Sequence, residues 1–364
     1  MSTVSLCMIV RNEEKVLEKC LKSIVDLADE IVIVDTGSTD KTIEIAKKFV
    51  DQVYSFQWID DFAAARNYAE SLATCDYILR FDADCTLQSG DMAKILKLKD
   101  KGFDGADLIQ FNFVEHFEIE DNKNIKPLFE ESTVYLHKAK KLKWQQPIHE
   151  YLQPIDLKKP IKIFSDNSIV VLHHRAESKK DWRIKQNLSI LKKSVQSRDQ
   201  NYNRMMHFYG RDLYFDCQYN ESIKQFKKLL ETETNINSRA YAIDKIFFGL
   251  FYSNLHDRIV EFKHLLQDSD SPMLVLLAAD VSCLSNPVEA QKLYLKYLRK
   301  PFIRSVNSFE HDVERFMVHP YIQLGKISIQ QNNPKKAKEY LQIALQKAIL
   351  KETKNRIILL SGYC

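Results

Sequence analysis

The chain has no Cys-x-x-Cys pair, no strong excess of either charge and no long apolar run. Each absence removes a class of function. Its seven cysteines, at positions 7, 20, 75, 85, 217, 283 and 364, are odd in number and widely scattered. That pattern is neither a disulfide framework nor a zinc-site spacing, and a reduced, cytoplasmic compartment fits it best. A formal net charge of +4 over 364 residues gives no reason to expect bulk nucleic-acid binding. The apolar start "VSLCMIV" is too short for the core of a secretory signal and stops at Arg11-Asn12-Glu13-Glu14. No stretch supplies the ~18 apolar residues of a membrane span, so no transmembrane segment is expected. A membrane-borne substrate would be reached from the water side.

What is present divides into two halves with different periods. Over the first 115 or so residues, short apolar runs alternate with helical patterns. "VSLCMIV" precedes a helix-period stretch from Glu13 to Val25, "EIVIVD" precedes one from Asp40 to Phe49, and "DQVYSF" leads to Asp61–Leu72 and then "YILRF". Such alternation predicts an α/β domain with a mostly parallel sheet and right-handed crossovers. "DLIQFNFVEHF", "STVYLH" and "SIVVLHH" read as further strands of the same domain. From Trp182 onward helix pairs are punctuated by "QYN", "SNLHD", "LSNP" and "QNNP" at roughly the 34-residue period of tetratricopeptide hairpins. Leu324, Gly325, Ala337, Leu341 and Ala344 occupy the small and apolar positions of the clearest unit, and Gly210, Ser222 and Phe226 echo them. A plain helical bundle is the alternative. The polar "AESKKDW" places the boundary near 176–182, giving domains 1–178 and 179–364.

In an open parallel sheet, ligands sit beyond the carboxyl ends of the strands. The polar groups following the apolar runs are therefore the candidates: Val10-Arg11-Asn12-Glu13, Asp35 to Asp40, and Asp82-Ala83-Asp84. Gly37 suits a tight turn, while Ser38, Thr39 and Asp40 read best as helix caps. Asp35, at a strand tip, can accept hydrogen bonds from the base or ribose of a nucleotide. The stretch "YILRFDADCTL" runs a core strand into two carboxylates. Burying like charges without partners costs several kcal/mol. In extended chain residues i and i+2 point the same way, so Asp82 and Asp84 would share one crevice and hold Mn²⁺ or Mg²⁺, with a hydrogen-bonded turn as the alternative. A second triplet, Asp268-Ser269-Asp270, falls between helices and reads as loop. Arg66, on the helix of "DDFAAARNYA", is placed to contact the nucleotide or the carboxylates, with a solvated arginine as the alternative. His149-Glu150 in "QQPIHEYL" and His173 in "SIVVLHH" are further candidates, Glu150 as a general base and His173 as a metal ligand.

The ordered set "SLCMIVRNEE", "ADEIVIVDTGSTDKT", "DFAAARNYA" and "YILRFDAD" resembles family-2 glycosyltransferases of the GT-A fold over about the first 175 residues. "QPIHEYL", "IVVLHHRAESKKDWRIKQNLSIL" and "HFYGRDLYFDCQYNESIKQF" are similar to the subgroup whose catalytic domain continues into tetratricopeptide-like helices, the sublancin-type bacteriocin peptide S-glycosyltransferases among them. The resemblance implies inverting transfer from a UDP-sugar, UDP-glucose or UDP-N-acetylglucosamine, to a Cys or Ser/Thr side chain of a peptide or protein. It implies that Asp35 holds the uridine, that Asp84 ligates the metal directly with Asp82 shared with the ribose, that His173 is the third ligand, and that Glu150, or His149 beside it, activates the acceptor. Cys85 departs from the subgroup, which usually has an acidic residue there. The alternatives are a cell-surface saccharide or lipid-linked acceptor, or a non-catalytic interaction module. The helical half is expected to bind the acceptor, to pair two chains as a homodimer, or both.

Overall fold

The computed structural model describes residues 2–119, 125–174, 180–266, 271–299, 314–348 and 351–362. Asp268-Ser269-Asp270 and the boundary segment at 175–179 lie outside them. Contacts divide the chain into two units, Met1–Lys180 and Asp181–Cys364.

The N-terminal unit is built on one eight-stranded sheet of order β3-β2-β1-β4-β7-β6-β10-β5. Its first half comprises β1 (Val4–Val10), β2 (Glu30–Asp35), β3 (Val53–Ser55) and β4 (Tyr77–Arg80), all parallel. Helices α1 (Leu17–Ile24), α2 (Thr42–Ala46) and α3 (Phe62–Ser71) make the connections. The second half is β5 (Cys85–Leu87), β6 (Leu108–Ile119), β7 (Ile125–Lys138) and β10 (Ile163–His173), with α4 (Met92–Asp100) after β5. β7 runs antiparallel to β4 and β6, and β10 runs parallel to β6 and antiparallel to β5. A separate hairpin joins β8 (Leu142–Gln145) to β9 (Tyr151–Pro154).

The β1 run "VSLCMIV" is apolar on both faces because helices cover both. Leu6 and Met8 pack with Leu17, Leu21 and Ile24 of α1, while Cys7 joins Val32, Val34 and Ala69 on the other side. Burying each large side chain contributes about 1.5–3 kcal/mol, which makes β1 the anchor of the sheet. Two β1 neighbours set the register: Val10 lies opposite Asp35, and Cys7 opposite Arg80. The strand directions bring Val10, Asp35, Arg80 and His173, the last residues of β1, β2, β4 and β10, to one rim of the sheet.

The second unit is helical: α5 (Lys180–Ser194), α6 (Tyr202–Phe215), α7 (Tyr219–Thr232), α8 (Ile236–Tyr252), α9 (Ile259–Phe262), α10 (Pro272–Ser282), α11 (Pro287–Arg299), α12 (His319–Gln330), α13 (Pro334–Lys347) and α14 (Lys351–Ser361). Its hairpins close where small residues let helices approach. A Cβ on Gly210 would lie 2.9 Å from the Phe226 ring, and one on Gly325 2.8 Å from Leu341. Ser222 Oγ donates to the Gly210 carbonyl at 2.7 Å, fixing α6 against α7. At the α12–α13 turn Asn332 takes a positive φ of 53°, Asn333 accepts from Lys336 N, and Pro334 starts the helix.

Candidate active site

Two loops close the rim over β1 and β2, and they are laced by side chains. Asn12, at φ 54°, donates its N–H to Ser38 Oγ at 2.9 Å and accepts from Thr39 N at 2.8 Å. Glu13 N donates to Thr42 Oγ1 at 2.7 Å, and Glu14 N to Asp40 Oδ2 at 3.2 Å. Ser38 and Thr39 therefore tie the two loops together and do not cap α2, contrary to their sequence reading. Only Asp40 serves the start of α2, accepting from Thr42 N at 3.0 Å. Asp35 is buried, and its carboxylate accepts from Gly37 N at 2.9 Å and Ser38 N at 3.0 Å. That turn needs Gly37, whose φ is 106°. Asp35 is thus engaged with its own loop rather than projecting freely. Beside it Arg11 has its Nε buried with no hydrogen-bond partner.

The Asp82-Ala83-Asp84 segment is not extended. β4 stops at Arg80, Cys85 N donates back to Asp82 O at 3.0 Å, and β5 begins at Cys85. The expected parallel alignment of the two carboxylates is corrected: a turn sends them to different partners. Ala83 faces the core between them. Asp82 Oδ1 accepts from Arg66 Nη2 at 2.9 Å, and Oδ2 accepts from Arg80 Nη2. Burial would raise the Asp82 carboxyl, but Arg80 and Arg66 outweigh it and hold it well below the usual carboxylate range. Asp84 Oδ2 instead lies 3.1 Å from His173 Nε2, and the Asp84 carbonyl accepts from His174 N at 2.7 Å. The His173 ring packs against Phe113, and its strand position opposite Cys85 places it there. Of the expected trio, Asp84 and His173 are in direct contact, while Asp82 is bonded to the two arginines and lies close enough to His173 for that ring to help lower its carboxyl. Among the described residues no three His, Cys, Asp or Glu side chains form a group that could hold a metal. Cys85 points into the core, where burial raises its thiol well above the ordinary value.

Helix α3 connects this turn to His149 and Glu150. Asp61 caps the helix by accepting from Ala64 N at 2.8 Å, and Phe62 N reaches the Pro147 carbonyl at 2.8 Å. The Asn67 amide copies a strand partner for β8, donating to Trp144 O at 3.0 Å and accepting from Trp144 N at 3.1 Å. These bonds dock the loop 146–150 on α3. Arg66, 8% exposed, donates its Nε to Glu150 Oε1 at 2.7 Å. Burial alone would lower the Arg66 guanidinium, yet Asp82 and Glu150 raise it. Burial likewise would raise Glu150, but Arg66 dominates and lowers it. Glu150 is thus an ionised carboxylate already paired with Arg66. His149 sits beside it at φ 51°. Arg66 is not the solvated helical arginine that the sequence also allowed.

Sequence reasoning missed Arg80 and Trp144. The two guanidiniums lie over the Trp144 ring, 5.4 Å and 5.9 Å from its centroid. Arg80 was legible only as the last residue of an apolar strand, a position where a charge needs an explanation.

Residues 5–155 match the glycosyl transferase family 2 profile. The N-terminal unit carries a family 2 glycosyltransferase domain. The chain is 26% identical over 257 residues to the SPbeta prophage-derived glycosyltransferase SunS of Bacillus subtilis, which covers 67% of this chain and 57% of that protein. It is 50% identical over 84 residues to a TPR repeat-containing protein of Synechococcus elongatus, covering 23% of this chain and 21% of the relative. The chain thus spans less than two thirds of either relative's length. Among solved structures it is similar to glucosyl-3-phosphoglycerate synthase from Mycobacterium tuberculosis in complex with Mn²⁺, UDP-glucose and phosphoglyceric acid. That likeness has 22% identity and a TM-score of 0.27, over 31% of this chain and 44% of the other. The family 2 match covers β1 through β9, and so includes every candidate except His173.

Proposed function

We propose that the protein is an inverting glycosyltransferase that moves a sugar from a UDP-sugar to a Cys or Ser/Thr side chain of a peptide or protein. The observation that carries this reading is the family 2 domain match together with the rim cluster of Asp82, Asp84, Arg66, Glu150 and His173. A divalent cation suits the donor set, since Asp84 offers a carboxylate and His173 an imidazole on adjacent strand ends. The buried, unpartnered Arg11 Nε fits a neighbouring phosphate. Asp84 and His173 would hold Mn²⁺ or Mg²⁺, which when bound supplies positive charge against the departing diphosphate.

The chain's own groups supply the rest. Asp35 Oδ2 accepts from both Gly37 N and Ser38 N, while Oδ1, with one longer bond of 3.3 Å from Ser38 N, retains a lone pair for a uracil or ribose donor. Arg66 and Arg80 fix the Asp82 carboxylate, and Asp82 in turn orients the Arg66 fork toward the diphosphate side. Glu150, held ionised by Arg66, accepts a hydrogen bond from the incoming acceptor group. A thiol acceptor, with a pKa of about 8.5, demands little from a base, so a weakly basic Glu150 is compatible with S-glycosylation. The similarity to SunS covers 67% of the chain, which is more than the N-terminal unit alone, so it extends into the helical unit, to which we assign acceptor binding.

The test is incubation with UDP-glucose or UDP-N-acetylglucosamine, Mn²⁺ and candidate peptides rich in Cys or Ser, read by mass spectrometry. A hexose or N-acetylhexosamine mass shift on peptide supports the reading. Modification of glycan or lipid-linked acceptors alone moves the acceptor to that class.

A further inference from the structure

Beneath the two arginines lies a second layer that the proposed chemistry does not use. Trp144 is 6% exposed, and its indole Nε1–H donates to Glu70 Oε1. The same oxygen accepts from His137 Nε2 at 3.0 Å. Glu70 sits one turn after Arg66 on α3, so the two side chains leave the same face of the helix. His137 comes from β7, is 1% exposed, and meets the Trp144 ring edge-on at 6.3 Å and 81°. Three elements therefore converge on Trp144: α3 through Glu70 and Asn67, β7 through His137, and its own β8. An indole with its N–H and both backbone groups bonded has one orientation available, and its face is then a fixed surface.

That surface is what the guanidiniums of Arg66 and Arg80 rest on. The Glu70 side chain is 14% exposed. Its geometry is that of a fixed acceptor for two donors from different elements.

We propose that Glu70 and His137 are positioning residues for nucleotide-sugar binding: they lock Trp144 as a shelf that aims Arg66 and Arg80 at Asp82. This rests on the glycosyltransferase reading, because the arginine pair is what the shelf serves. The effect is transmitted and not direct, since neither residue reaches the rim. A loosened shelf lets the guanidiniums tilt, which weakens binding of the donor while leaving the bond-breaking geometry of bound donor nearly unchanged.

The experiment is calorimetric titration of UDP in the presence of Mn²⁺, with steady-state kinetics, on wild type, Glu70→Met, which removes the shared acceptor, His137→Phe, Trp144→Phe and the Glu70→Met/Trp144→Phe double variant. Expected are UDP dissociation constants and donor KM values raised about tenfold, the low end for outer-layer partners of a binding group. The kcat should stay within about threefold, well below that change. The double variant should bind no worse than Trp144→Phe, because Glu70 acts through Trp144. Tryptophan emission should shift in Glu70→Met without a loss of cooperative unfolding. Wild-type protein that binds no UDP overturns the glycosyltransferase reading itself. Wild type that binds, with Glu70→Met and His137→Phe binding equally well, overturns the shelf alone, as does an additive double variant. Should His137→Phe fail to fold, Glu70→Met and Trp144→Phe still decide the matter.

Discussion

Glu150 and Arg66, 84 positions apart in the chain, form a 2.7 Å ion pair, and the same guanidinium holds Asp82 at 2.9 Å. One buried arginine thus joins the strand-end turn to the loop after β8. Removing it strands the Glu150 carboxylate and leaves Asp82 with Arg80 alone. Arg66→Met is expected to destabilise the N-terminal unit by about 3–5 kcal/mol, the usual cost of breaking a buried pair from one side. Urea unfolding measures it. Glu150→Gln leaves an amide oxygen for Arg66 and should cost distinctly less; equal costs would show that the pair is not the source.

The same pair sets a pH dependence. The Glu150 carboxyl is lower in the folded chain than the unfolded value of about 4.3. A depressed carboxylate contributes stability that is present above the unfolded value and lost as pH falls through the folded one. The stability gap between wild type and Glu150→Gln should therefore be constant from pH 8 to about 5 and narrow below about 4.3. Thermal melts of both proteins across that range check it, and a gap independent of pH contradicts the assignment.

The turn at Asp82-Ala83-Asp84 makes its two acids unequal. Asp84→Asn and His173→Ala should remove the dependence of UDP affinity on Mn²⁺. Asp82→Asn should weaken UDP binding in Mn²⁺ and in its absence alike, because it disturbs Arg66 and Arg80 rather than the cation. Titrations with and without Mn²⁺ separate these patterns. Loss of the Mn²⁺ response in Asp82→Asn alone would reverse the two roles.

Much of this architecture is legible in the chain. The alternation of "VSLCMIV", "EIVIVD" and "YILRF" with helical patterns foretells the parallel half of the sheet, because strands buried on both faces read as continuous apolar runs. "DLIQFNFVEHF" and "SIVVLHH" likewise join that sheet as β6 and β10. Side-chain direction is less legible. Asp82 and Asp84 were expected to point together because extended chain was assumed, and one backbone bond from Cys85 N to Asp82 O is enough to part them. Ser38 and Thr39 look like caps locally, but their partner Asn12 is 26 and 27 positions away. The layer of Glu70, His137 and Trp144 leaves no local pattern at all, since its contacts span 67 and 74 positions. Such pairings follow from topology, which no short motif encodes.

In the helical unit, Gly210 tests whether the first hairpin is closed by small-residue packing. Alanine there gains about 1 kcal/mol of helix propensity. Its Cβ would meet the buried Phe226 ring at 2.9 Å, an overpacking worth about 1–3 kcal/mol. Gly210→Ala should lower stability on balance, and Gly210→Ala with Phe226→Leu should recover part of the loss. A more stable Gly210→Ala protein would show that α6 and α7 do not approach this closely.

The central claim is that Asp84 and His173 hold a divalent cation that binds a UDP-sugar. Slow release of UDP from UDP-sugar in the absence of acceptor, measured with Mn²⁺ for wild type and Asp84→Asn, tests it most directly. The account predicts Mn²⁺-dependent release by wild type and none above background by Asp84→Asn. Equal release by the two proteins, or release indifferent to Mn²⁺, would contradict it.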